Sequence, residues 1–103
     1  MQKLYYHATD YKNLSSIIIN GINTGPDGLV YLCEDPGEAV RFTFLRGIKK
    51  NVVFGVMLDD KEVVESFDHN YDFFKCRAFA IDRKILADEL DFNNMFQYDL
   101  TNL

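Results

Sequence analysis

Residues 4–22 read LYYHATDYKNLSSIIINGI, and residues 28–42 read GLVYLCEDPGEAVRF. Each stretch joins a strand pattern to a helix pattern, and their succession decides the fold. In the first, Leu4, Tyr5 and Tyr6 suit a strand over residues 3–8. Asp10 then caps a helix, because its carboxylate can accept backbone N–H groups that the first turn leaves without partners. Leu14, Ile17, Ile18 and Ile22 recur at spacings of three and four and form one apolar face. Gly21 ends that helix, since glycine takes the left-handed conformation without a Cβ penalty.

The second stretch follows a turn rich in glycine at 21–28. LVYLC at 29–33 is a short buried strand, and Asp35-Pro36 starts a second helix with Asp as cap and Pro at the first helical position. That helix passes through Ala39, Phe42 and Leu45 to a stop at Gly47, with its acids early and Arg41 and Arg46 later, the order the helix dipole favours. NVVFGVML at 51–58 is apolar on both alternating faces, which marks an interior strand. Residues 62–67 read as a short strand or an irregular segment, and SFDHNYDFF has no clear period. KCRAFAI at 75–81 alternates like a strand, Asp82 is expected to cap a short helix near 83–90, and a strand or tail near 95–100 closes the chain. Strands and helices mix without regular βαβ alternation, so the expected class is α+β: one domain over residues 1–103, with two to three short helices on a small, mainly antiparallel, split sheet.

Bulk properties limit the functions. A chain of 103 residues supports one core. Eleven basic against sixteen acidic residues give a net charge of −5, which disfavours broad nucleic-acid binding, since that needs a basic surface. Arg41, Arg46, Lys49 and Lys50 lie close together and read as a solvated helix end. Cys33 and Cys76 form no CxxC pair, and the two histidines give no metal spacing. With no apolar run of membrane length and no leader pattern, a cytoplasmic protein with no membrane partner is expected. GxSxG, P-loop, GxGxxG and HExxH patterns are absent.

The order of the two opening segments resembles the ADP-ribosyltransferase superfamily in the broad sense, which includes the RNA 2′-phosphotransferases and toxin-like branches. There the first strand reads approximately Tyr-His-Gly/Ala-Thr, and the next helix follows Leu-xx-Ile-xxx-Gly-Leu/Ile. The second strand reads Val-Tyr/His-Leu-Ser/Thr before an Asp-xx-xx-Ala helix. The motif match covers residues 4–44. The resemblance implies an NAD-binding cleft with NAD as co-substrate. His7 would hydrogen-bond ribose hydroxyls, Ala8 and Thr9 would help line the cleft, and Tyr31 would stack on the nicotinamide. The segment from Gly25 to Gly28 would border the ligand.

In many NAD-using members a glutamate precedes the strand that here reads KCRAFAI. This chain has no Glu there, and Asp72 is the nearest carboxylate, expected in the third catalytic position beside His7 and Tyr31. The RNA 2′-phosphotransferases do without that glutamate, but they are expected to carry His at the place of Tyr31 and an Arg before the first His, so that branch matches less well. Three readings stay open: a small ADP-ribosyltransferase-like enzyme acting on a macromolecular target such as a protein, a catalytically degenerate member that binds or inhibits a protein, and an unrelated α+β domain that shares the pattern by coincidence. In the second, the aromatic run Phe67, His69, Tyr71, Phe73 and Phe74 would serve the partner or pack under the sheet.

Overall fold

The computed structural model describes residues 1–66 and 78–101. Strand β1 spans Gln2–Asp10 and leads through a 3-10 turn, Tyr11–Asn13, into helix α1, Leu14–Asn20. Then come β2 at Val30–Cys33, helix α2 at Pro36–Leu45 and β3 at Lys50–Asp59. After them lie β4 at Val64–Ser66, β5 at Ala78–Ile81 and β6 at Leu90–Asp99. Among the described residues these form one antiparallel six-stranded sheet in the order β4-β5-β2-β1-β3-β6. The chain is therefore α+β and antiparallel, as expected, but the sheet is not split: the pair Tyr6–Cys33 joins β1 to β2 within one sheet.

Alternation sorts the side chains onto two faces. On one face Val30, Leu32, Val52, Phe54, Val56, Leu58, Phe79 and Ile81 form the larger core, closed by Ile17 of α1 and by Ile22 and Ile85. Burying each such aliphatic or aromatic side chain stabilises the fold by about 1.5–3 kcal/mol. On the other face α2 lays Ala39 and Val40 over Cys33 and Val53, with Tyr6, Ala8 and Phe42 packed around them. β3 is buried on both faces from Asn51 to Val56, so the apolar run at 51–58 is an interior strand flanked by β1 and β6. Helix α2 starts as its sequence requires: Asp35 Oδ2 accepts the Glu38 N–H at 3.1 Å, with Pro36 in the first turn.

Three expectations need correction. Asp10 accepts the Lys12 N–H and so caps the 3-10 turn, and the α-helix proper begins only at Leu14. That helix has seven residues, too few to turn the whole apolar set inward, so Ile17 is buried while Ile18 stays exposed. The segment 83–90 is not a helix. Ile85 is drawn into the core and bridges Ile22, while Arg83 donates to Glu62 and to both oxygens of Glu89, stapling an extended connection into β6. Only a 3-10 turn, Ala87–Glu89, precedes β6, which begins five residues earlier than the tail expected at 95–100. No helix among the described residues is long and apolar enough to cross a membrane.

Gly21 closes α1 at φ 78°, and its N–H reaches the Ile17 carbonyl at 2.8 Å. A Cβ there would stand 2.1 Å from the Ile85 carbonyl oxygen, a backbone atom of the bridge to Ile22. Gly21→Ala is therefore expected to cost about 3 kcal/mol or more, combining left-handed strain with a backbone clash. Urea denaturation measures this, and a loss below about 1 kcal/mol, within the range of an ordinary point substitution, would contradict it.

Candidate functional site

β1 and β2 pair only where Tyr6 faces Cys33. On its other flank β1 pairs β3 along its whole length, from Gln2 opposite Asp59 to Asp10 opposite Asn51. Past Tyr6 the two strands part, and a side chain spans the gap that the ladder leaves. His7 Nδ1 lies 2.8 Å from the carbonyl oxygen of Tyr31. A carbonyl only accepts, so Nδ1 carries the hydrogen and donates it. In the neutral ring Nε2 then presents its lone pair. Burial pushes the His7 imidazole below the ordinary histidine range; the Tyr31 carbonyl works against that fall and the nearby Arg46 charge adds to it. The ring is thus held neutral and oriented.

A cleft of about 360 Å³ lies at this seam. Strand β1 contributes Tyr6, His7 and Ala8, and β2 contributes Tyr31 to Cys33. Helix α2 and its C-cap form a wall with Ala39, Phe42, Thr43 and Arg46, and Asp27, Ser66 and Ala78 are further described lining residues. Alternation along β2 buries Val30 and Leu32 in the larger core and leaves Tyr31 36% exposed. The Tyr31 hydroxyl donates to Asp27 Oδ2 at 2.5 Å, and Asp27 Oδ1 accepts the Leu29 N–H at 3.1 Å. Those two bonds, the phenolic one foremost, hold the Asp27 carboxyl below the ordinary carboxylate range. Among the described residues that line the cleft, Asp27 is the one carboxylate and Arg46 the one fixed cation.

His7, Ala8 and Tyr31, separated by more than twenty residues in sequence, therefore meet in one cleft. Thr9 and Gly28 are not among its walls. The Thr9 hydroxyl accepts from Asn13 Nδ2 at 3.0 Å, and Gly28 serves the turn at φ 80°. Asp72, the carboxylate expected in the third catalytic position, lies outside the described residues, as do Cys76 and the aromatic run from Phe67 to Phe74. Arg46 was not among the expected site residues, and Asp27 was covered only as part of the segment from Gly25 to Gly28 expected to border the ligand. Arg46 read as one charge of a solvated helix end, and it is exposed, yet it also borders the cleft. Asp27 read as turn chemistry, although its place four residues before Tyr31 is the local signal that could have found it.

The depressed His7 pKa fixes the sign of a pH effect. A base that loses basicity on folding leaves the unfolded chain the stronger proton binder, so its contribution to stability is present above about pH 6.5 and falls as the pH drops below that value. Moving from about pH 7.5 to about pH 5 should lower the unfolding free energy of the wild type by more than that of His7→Gln. Urea denaturation at both pH values checks this, and equal losses would contradict it. Among known proteins, no family model matches the chain and no curated protein matches its sequence.

Proposed function

We propose that the cleft binds NAD and that the protein is a small ADP-ribosyltransferase-like enzyme acting on a macromolecular target, a protein in the first instance. The observation that carries this reading is the convergence of His7 and Tyr31 on one cleft, with the His7 ring anchored through Nδ1 to the Tyr31 backbone. The two residues that the resemblance assigns to ribose and nicotinamide are thus neighbours.

The residues of the cleft suit such a ligand in kind and in size. His7 Nε2 is an acceptor for a ribose hydroxyl, and the half-exposed Tyr31 ring offers a face for stacking. Arg46 supplies a cation for phosphate, and no carboxylate among the described residues forms an ion pair with it. A volume of about 360 Å³ sits at the lower end of small-molecule sites, which suits the nicotinamide riboside end better than a whole dinucleotide. NAD supplies the ADP-ribosyl group: the bond from its ribose carbon to the nicotinamide nitrogen breaks, nicotinamide leaves as the neutral base, and the acceptor's nucleophile bonds that ribose carbon and releases its proton to solvent. The protein's part is positioning, by a ring fixed at the seam and an imidazole that cannot turn away from the ribose without losing its carbonyl partner.

A ligand that binds only the native state stabilises it, by about 2.7 kcal/mol at a hundred times its Kd. NAD is therefore expected to raise the melting temperature, and an unchanged value at millimolar NAD would contradict the reading. Incubation with nicotinamide-labelled NAD should release nicotinamide, and His7→Ala and Tyr31→Ala should each abolish the release. Binding without release by the wild type would instead identify a degenerate, binding member of the same fold.

A further inference from the structure

The cleft carries an acid–phenol pair that ribose binding and ring stacking do not explain. Tyr31 donates its hydroxyl to Asp27 Oδ2 at 2.5 Å, the short separation of a charge-assisted bond. The carboxylate cannot swing away freely, because its other oxygen holds the Leu29 N–H and the next residue, Gly28, turns the backbone at φ 80°. A stacking tyrosine needs no such partner, and a hydroxyl at the edge of a cleft could as well face water.

We propose that Asp27 charges the Tyr31 ring site for a positively charged aromatic ring, so that the cleft selects the pyridinium of NAD over the uncharged dihydronicotinamide of NADH. This rests on the NAD reading above and specifies the redox form that the site accepts. A phenol that donates to a carboxylate shifts electron density toward its oxygen and ring, which makes the ring face more negative. A cation over an aromatic face is held by that negative face, and the attraction grows when water is excluded. The formal charge of Asp27 acts in the same direction, and its depressed pKa keeps it ionised at neutral pH. Charge balance in the cleft points the same way. With His7 neutral, the described lining holds one anion, Asp27, and one fixed cation, Arg46. That pair complements a ligand with a cationic ring and an anionic phosphate. Without Asp27, the one fixed charge among the described lining residues would be Arg46, which repels the pyridinium. Asp27 is thus a positioning and selectivity residue that acts through Tyr31.

Binding is measured by the fluorescence of NADH on addition of protein and by its displacement with NAD. The wild type is expected to bind NAD at least about tenfold more tightly than NADH. Asp27→Asn keeps the side-chain shape and an acceptor oxygen but removes the charge. It should cut that preference about five- to tenfold while leaving the NADH affinity within about twofold. Tyr31→Phe keeps the ring, removes the coupling and should shift the preference in the same direction. The pair 1-methylnicotinamide and nicotinamide, which differ in charge on one ring, should repeat the pattern without phosphate. If Asp27→Asn weakens both dinucleotides equally, Asp27 merely holds the loop and the proposal fails. If the wild type prefers NAD and Asp27→Asn keeps that preference, the proposal fails while the NAD reading stands. Binding of neither dinucleotide by the wild type would overturn both.

Discussion

The sheet narrows to a single residue pair between β1 and β2, and one side-chain hydrogen bond spans the gap beside that pair. Tyr6 and Cys33 are the last pair in register, after which His7 Nδ1 takes the Tyr31 carbonyl that a ladder would have bonded. Where strands part, a carbonyl that loses its ladder donor needs another group or water to meet it, and here a side chain does so. That the group is an imidazole has consequences beyond satisfaction. The bond fixes the tautomer, aims the second nitrogen, and ties the first strand of one half-sheet to the strand that carries Tyr31. Remove it and the cleft loses both its orientation and its brace.

The cleft exists because the two faces of the sheet are filled differently. On the α1 face, Leu32, Phe54, Leu58, Phe79 and Ile81 leave little space. On the α2 face, the residues at the seam are small: Ala8, Cys33, Ala39 and Ala78. The described residues that line the remaining space include aromatic faces, one acid and one cation. In a chain of net charge −5, the fixed charges of that described lining cancel.

Much of this was legible in the sequence where a local rule had no competitor. Asp35-Pro36 started α2 and Gly21 closed α1 because capping chemistry acts within one turn. The run at 51–58 reported an interior strand because burial on both faces favours apolar side chains; its one polar member, Asn51, is buried with its amide donating to the Ile48 carbonyl. The segment 83–90 misled because Asp82 resembles a cap, whereas tertiary forces decide there: Ile85 goes to the core and Arg83 holds Glu62 and Glu89. The pairing of His7 with Tyr31 was reachable only through the order of motifs, since no local pattern foretells a strand that leaves its neighbour after one pair. Arg46, and the particular role of Asp27 within the segment from Gly25 to Gly28, stayed hidden for a related reason. A turn acid and a helix-end cation look like solvated charges until the fold brings them to one cavity.

The central claim is that His7 braces the seam through Nδ1 and offers Nε2 to the ligand. Long-range 1H–15N spectra of the imidazole, with the second histidine replaced to assign the signals, read both nitrogens directly. At neutral pH the account predicts a protonated Nδ1 and an unprotonated Nε2, with the Nε2 resonance moving on addition of NAD while Nδ1 keeps its proton. A ring protonated at Nε2, or an Nε2 signal indifferent to NAD at saturating concentration, would contradict it.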